Sequence, residues 1–361
     1  MKKVLSIIGA LLVIGVGVFL SVKYWNDENT EYPYNIKIVE DNNRIRSFVE
    51  ETEEGLDIYY LIKQENGEDL RVDNVYYYDV AAPDYPSENF IRFSDQKSEL
   101  VGLYNDRGVA VIPPIYSDLT RVYNGMLYAL KDGVKDNIGS NGDRHDVLLG
   151  GTTLLLNTNG EVLIEDMIIP NNTLDMFSLK ITEEPILDSY YVSFKGVNSK
   201  YYNFVDLAKY FELFVKEEFL PSTVDHKWES FLSDNIEVNI EVKNENVGDY
   251  IVYDKQEMLT IQKDLVTKAF ALANSSDSTR YKLVYDVYDW IVTVDTELME
   301  DKYKKIYLNK EGVWKGKEFP VFQLNIKEVK GTQTRSNHYD FYRNKNGGMT
   351  LYQITIRANY Y

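Results

Sequence analysis

Cysteine is absent from the 361 residues, which excludes disulfides, thiolate nucleophiles, cysteine-bound metals and a lipid anchor on cysteine. Proline is sparse at 9, and the low count argues against a wholly disordered chain. Basic residues fall short of acidic ones, 39 against 57, for a net charge of −18. That balance disfavours nucleic acid and anionic lipid as main partners, since both are polyanions met with Lys and Arg. Its simplest use is solubility. Tryptophan is also rare, 4 against 30 tyrosines. Tyrosine suits half-buried sheets, where the ring fills the pleated face and the hydroxyl stays wet.

The length allows about two domains. Lys2 and Lys3 precede an uncharged run, Val4 to Val22, and Lys23 follows it. As a helix the run spans roughly 28 Å, with no small-x-small cleavage site before Lys23. Residues 1–25 are therefore expected to be a transmembrane anchor or uncleaved signal. The chain would be a single-pass protein of the cytoplasmic membrane with its bulk on the periplasmic or extracellular side. Residues 26–55 read as an Asn- and acid-rich tether with one strand candidate, Asn35 to Val39.

From Leu56 the period changes to that of strands. Leu56 to Ile62 and Val72 to Val80 are β-branched and aromatic runs split by the turn signal Asn66-Gly67. A repeat follows. Ser87-Glu-Asn-Phe-Ile-Arg-Phe93 is echoed by Tyr123-Asn-Gly-Met-Leu-Tyr-Ala129, and Asn105-Asp-Arg-Gly-Val-Ala-Val-Ile112 by Asn157-Thr-Asn-Gly-Glu-Val-Leu-Ile164. The offsets, 36 and 52 positions, differ by a 16-residue insertion that falls in the loop-like stretch Asp132 to Gly151. Each unit reads as an antiparallel meander that must stack on a neighbour to bury its apolar face.

These residues, with Gly102-Leu-Tyr-Asn-Asp-Arg-Gly108, Val111-Ile-Pro-Pro-Ile-Tyr116 and Tyr123-Asn124-Gly125, resemble the bacterial WG-repeat (KWG) proteins over about residues 85–165. The chain departs from that family where Val101 stands in place of the usual Trp and where Leu154 falls opposite Gly102. The resemblance implies an envelope-associated, non-enzymatic β-module, and it carries no catalytic residues over.

Residues 56–174 are thus expected to be a β-rich, WG-repeat-like region, and residues 175–361 an α+β domain. Asn203 would cap a helix through Phe204, Leu207, Ala208, Phe211, Phe214 and Val215, with Pro221 beyond its end. Asp254 and Glu257 make a capping box with a Tyr253–Met258 staple, followed by the stripe Ile261, Leu265, Ala269, Leu272. Strands follow from Leu283 to Val294 and Phe319 to Val329. A hairpin at Asn346-Gly347 would place Tyr352, Ile354 and Ile356 on one face. The fold class expected is α+β: a β-repeat meander sheet and an α+β domain, preceded by one transmembrane helix.

For chemistry, His145, His226 and His338 each have a nearby carboxylate, but no two lie at ligand spacing. The stretch Asp132 to Asp143 has oxygen ligands without the alternation or terminal Glu of an EF-hand loop. No zincin, nucleophile-elbow, phosphate-loop or dinucleotide motif is present, and no cofactor or metal is expected. Glu183, Glu184, Asp286 and Asp289 would be candidates for a hydrolytic pair. In Tyr285-Asp-Val-Tyr-Asp-Trp290, a strand would put Asp286, Tyr288 and Trp290 on one face, and aromatic plus carboxylate is a common way to hold sugars and cations. A sheet core is the plain alternative. The function expected is a membrane-anchored binding or scaffold protein, not an enzyme, whose partner is a protein or cell-wall glycan. A carboxylate-based hydrolase is the alternative.

Overall fold

The computed structural model describes residues 42–53, 55–79, 82–138, 145–169, 173–242, 251–271, 280–288, 301–309 and 312–358. Strands make up 52% of these residues and helices 16%, arranged in several small sheets, so the α+β expectation is corrected to a mostly-β fold. The transmembrane and single-pass membrane expectation is also corrected. No helix among the described residues is long and apolar enough to cross a membrane, and the run 4–22 lies outside the described residues.

The first half is a row of three-stranded meanders. Ile45–Thr52, Gly55–Lys63 and Asp69–Val72 form the first, beginning inside the stretch read as tether. Phe90–Ser94, Val101–Asn105 and Ala110–Tyr116 form the second. Met126–Lys131, Thr152–Asn157 and Val162–Ile164 form the third, joined by the short strand Asp118–Leu119. The insertion in the third is a hairpin, Val134–Ile138 with His145–Leu149.

Local chemistry explains the repetition. The tight turns at Glu88-Asn89 and Asn124-Gly125 have positive φ at both central residues (52° and 69°, 54° and 69°), as a two-residue hairpin needs. The other turn recurs with the same bonding at Asn105 and Asn157. In each, the Asn backbone closes on the residues three and four positions on. Its side-chain Oδ1 accepts from the backbone N–H groups two and four positions on, at 3.0 Å. The last position is a glycine at φ 74° or 80°, which other side chains adopt at a cost.

The first meander has the same backbone turn at Gln64–Gly67. The same turn also joins strands outside this row, at Asn344–Gly347 and Gly196–Ser199, so it is a hairpin device of the whole chain.

Successive turns are tied to one another. The Glu88 carboxylate accepts from the backbone N–H of Asn124 (2.5 Å) and Gly125 (2.7 Å). Asn124 Nδ2 in turn donates to the Met176 carbonyl at 2.9 Å, and Asn89 Oδ1 accepts from the Asn42 N–H at 2.6 Å. The apolar cores lie between neighbouring units: Ile91 packs with the first meander, Leu127 and Leu156 with the second, and Met126 and Leu155 with the next sheet. Within the second meander Gly102 leaves room for its flanking strands, because a Cβ there would meet the Phe93 ring and the Ile112 carbonyl at 2.6 Å.

A three-stranded sheet follows, Leu174–Thr182, Tyr191–Lys195 and Tyr201–Asp206, the last strand in the middle. Asn203 is therefore a buried strand residue, not a helix cap. Its amide bridges Ile186, Lys180 and Thr182. The cap is Asp206, which accepts from Ala208 and Lys209 N–H, because the run Tyr201 to Val205 pairs on both sides as a strand. The helix Leu207–Phe214 continues through a wide turn, Val215–Phe219, into Leu220–Val224. Pro221 lies in the first turn of that last piece, where its missing N–H is tolerated.

The Asp254 cap stands, accepting from Glu257 N–H at 2.9 Å, and Met258 is fully buried. The helix breaks at Gln262 into Lys255–Ile261 and Lys263–Ala271. That break shifts the buried stripe to Met258, Val266, Ala269 and Phe270 and leaves Ile261 exposed. Leu272 lies outside the described residues.

The remaining strands form one six-stranded sheet. Its order is Ile251–Asp254, Leu232–Val242, Met349–Ala358, Gln333–Arg343, Val321–Lys330, Tyr281–Tyr288. The pairing of Leu232–Val242 with Met349–Ala358 is parallel. The helices cover one face through Phe211, Phe219, Trp228, Phe270, Phe322, Tyr339, Phe341 and Ile354.

A bulge opposite Asp340 and Phe341 leaves Tyr352 as an extra residue. Such an insertion flips the alternation. Tyr352 therefore packs with Tyr307 and Trp314, on the side opposite Ile354 and Ile356, contrary to the single face expected for all three.

Candidate functional site

Alternation along a strand sends every second side chain to the same face. Because the helices take the apolar face of the six-stranded sheet, the other face carries what remains, and it is polar. The strand register aligns Glu237, Gln353, Asp340, Gln323 and Asp286 across five strands. Two residues along, Asn239, Thr355, His338, Asn325 and Val284 make a second row. Two further along, Ser336, Lys327 and Lys282 are aligned, and Arg357 follows Thr355 by the same step.

Hydrogen bonds join neighbours along the first row and diagonally between rows. Asn325 Nδ2 donates to Asp286 Oδ2 at 2.7 Å, Tyr288 Oη donates to Gln323 Oε1 at 3.0 Å, and Gln323 Nε2 donates to Asp340 Oδ1 at 2.6 Å. Arg357 Nη1 lies 3.2 Å from His338 Nε2. Several of these polar groups are almost fully buried, Asp340 and Gln353 at 5% exposure and Asn239 at 1%. Buried polar groups are as a rule hydrogen-bonded, and Asn239 Oδ1 departs from that rule, with no partner among the described residues.

One end of the face carries an aromatic wall. Tyr307 stacks on Trp314 (centroids 5.2 Å apart), and Trp314 Nε1 donates to the Phe319 carbonyl at 2.7 Å. Val321 and Tyr352 complete this cluster, with Tyr288 and Tyr342 packed against it.

Burial pushes the Asp340 carboxyl up to about 7; the hydrogen bond from Gln323 acts against that rise, and the charge of Glu237 adds to it. Gln353, Asp286, Tyr288 and Tyr342 also occupy this face around it. Between about pH 4 and 7 the folded state holds a proton that the unfolded chain has lost. This group therefore costs nothing below about 4, and its penalty grows as pH rises to 7 and is complete above it. In urea titrations, Asp340→Asn is expected to stabilise the protein by roughly 1–3 kcal/mol at pH 8 and to change little at pH 4. An equal effect at both pH values would contradict it.

Of the residues singled out from sequence, Asp286 and Tyr288 lie on this face, and Trp290 lies outside the described residues. His338 joins the second row. His226 sits at φ 58° just after the Leu220–Val224 helix, and His145 begins a strand of the inserted hairpin. Neither is brought to the polar face. Glu183 pairs with Lys200 at 3.0 Å on the surface, Glu184 is exposed, and Asp289 lies outside the described residues. Among the described residues, no group of three or more His, Asp or Glu is placed to hold a metal.

Sequence reading missed Asp340, Gln323, Gln353, Glu237 and Asn239. The available signal was the recurrence of amides and acids at alternate positions in two strands, Phe322-Gln-Leu-Asn-Ile326 and Ile236-Glu-Val-Asn-Ile240. No protein-family model matches the chain, and no curated protein matches it.

Proposed function

We propose that this is a binding protein in which degenerate WG-type β-repeats are joined to a ligand-recognising sheet, and that its ligand is a glycan. The observation that carries this reading is the in-register row Glu237–Gln353–Asp340–Gln323–Asp286 beside the Tyr288, Tyr342 and Trp314 wall. In that row Glu237, Gln323 and Asp286 are half-buried and offer donors and acceptors at strand spacing, which suits the hydroxyl and acetamido groups of sugars. Aromatic rings nearby suit their C–H faces.

The full-length chain on a glycan array is expected to retain at least one oligosaccharide class. Gln323→Leu is expected to weaken that binding about tenfold with the circular dichroism spectrum unchanged. Retention of no glycan, or indifference to Gln323→Leu, would sink the reading and favour a protein partner.

A hydrolase reading draws on Asp340 alone. Two strand spacings put its backbone about 10 Å from those of Glu237 and Asp286, nearer the carboxylate separation of inverting than of retaining glycosidases. The same assay separates the two: a ligand recovered intact supports binding, whereas new reducing ends abolished by Asp340→Asn would support hydrolysis.

A further inference from the structure

An Asn-Gly step can modify itself, because glycine has no side chain to hinder its own nitrogen from attacking the preceding carboxamide. The sequence has five such steps, at Asn66, Asn124, Asn141, Asn159 and Asn346. Asn141 lies outside the described residues. The other four all sit in hairpin turns, and their surroundings differ.

Asn124 is held at both reacting groups. Its Nδ2 donates to the Met176 carbonyl at 2.9 Å, and the Gly125 N–H donates to the Glu88 carboxylate at 2.7 Å. Asn66 is held by Glu68, whose N–H donates to Oδ1 at 3.0 Å and whose carboxylate accepts from Nδ2 at 2.9 Å. The Asn346 carboxamide has no partner, but Gly347 is buried, which keeps solvent base from its N–H. Asn159 alone among the described Asn-Gly steps combines an exposed side chain, a carboxamide without a partner and a glycine partly open to solvent. To react it has only to open the turn bond from the Gly160 N–H to the Asn157 carbonyl, 3.0 Å.

We infer that Asn159 is a site of self-modification by deamidation and isomerisation. The Gly160 nitrogen gives up its proton and bonds to Asn159 Cγ; the Cγ–Nδ2 bond breaks, and Nδ2 leaves as ammonia with that proton. Water then opens the cyclic imide at one of its two C–N bonds. Breaking the new bond yields aspartate, and breaking the original peptide bond yields isoaspartate, with an extra carbon in the main chain. The place matters for the row of meanders. A Cβ at Gly160 would lie 3.3 Å from the Ile112 side chain, so this turn rests on the second meander. Asn157 Oδ1 holds the N–H groups of both Asn159 and Glu161 at 3.0 Å. A longer main chain between those two groups breaks that pattern, so isoaspartate loosens the third meander where aspartate does not.

The test is tryptic peptide mapping by mass spectrometry of the full-length chain aged at mildly alkaline pH, folded and in urea. Arg144 puts Asn141 and Asn159 in different peptides. In the folded chain the Asn159 peptide is expected to gain one mass unit about tenfold faster than the Asn66 peptide, since the two bonds to Glu68 have to break first. In urea that difference is expected to vanish. Asn159→Gln, whose longer side chain closes a disfavoured ring, is expected to remove the gain. The aged chain is expected to unfold at a lower urea midpoint than Asn159→Gln aged alike, while fresh Asn159→Asp keeps the original midpoint. Asn66, Asn124 or Asn346 keeping pace with Asn159 in the folded chain, or the same order persisting in urea, would overturn the assignment. Equal midpoints for the aged chain and aged Asn159→Gln would overturn its structural consequence.

Discussion

Asp84→Ala is expected to cost about 3–5 kcal/mol of stability, because it strands two buried guanidinium groups at once. The Asp84 side chain is fully buried. Its two oxygens accept from Arg92 Nε and Nη2, both at 2.8 Å, and Oδ1 also accepts from Arg121 Nε at 2.7 Å. Arg92 Nη1 donates to the Leu119 carbonyl at 2.8 Å. The two guanidiniums lie over the Tyr76 and Tyr85 rings, at 4.0 and 3.4 Å from the centroids, while Tyr76 Oη donates to Asp118.

Burial by itself would lower the Arg92 titration point, and the hydrogen bond and charge of Asp84 more than offset it. With Asp84 gone, that compensation goes too. The cluster spans all three meanders, since Ser47 Oγ donates to the Asp84 carbonyl and Leu119 and Arg121 lie by the third. The loss should therefore appear as a lower urea midpoint for the whole repeat region. If stranded charge is the cause, Asp84→Leu combined with Arg92→Met and Arg121→Met should recover most of it. A loss below about 1 kcal/mol for Asp84→Ala would show that the repeats do not depend on this centre.

Arg343→Met is expected to have the second large effect, about 3–5 kcal/mol, for the same physical reason at a different place. Arg343 and Asp175 are 168 residues apart in sequence, both fully buried, and joined by Arg343 Nη1 donating to Asp175 Oδ2. Arg343 Nη2 also donates to the Glu318 carbonyl at 2.8 Å, and Asp175 Oδ1 accepts from the Phe177 N–H at 2.9 Å. This pair ties the sheet after the repeats to the closing hairpin of the six-stranded sheet. A double-mutant cycle with Asp175→Asn should return a coupling energy above about 1 kcal/mol, and Arg343→Met alone should turn one unfolding transition into two. Additive single effects, with one cooperative transition kept, would count against the pair as the joint.

The turns were the most legible part of the sequence. Asn105 to Gly108 and Asn157 to Gly160 carry their own reason to turn, a side-chain acceptor within reach of the next N–H groups and a glycine where φ is positive. The capping box at Asp254 was legible for the same reason. The turn at Gln64–Gly67 has the same backbone bonding but opens with Gln, which lacks the side-chain acceptor position that makes the Asn turns legible. The Asn203 cap was misplaced because Asn203 and Asp206 are both capping residues, and only pairing on both flanks decides that 201–206 is a strand. Tyr352 was assigned to the wrong face because a bulge shows itself only in the partner strand.

The same division holds at the site. Asp286 and Tyr288 could be read as one face of one strand, since alternation is a property of the local backbone. Asp340, Gln323 and Glu237 join them only through register. One link in that register is the parallel pairing of Leu232–Val242 with Met349–Ala358, two strands more than a hundred residues apart.

The sequence by itself determined the strand-rich texture, the turn positions and the strand alternation, because sterics and hydrogen bonds within a few residues decide them. The tertiary structure alone decided which strands pair, which face the helices cover and hence that a polar face is left. Those outcomes depend on contacts whose loop-closure cost is met only when the whole sheet assembles.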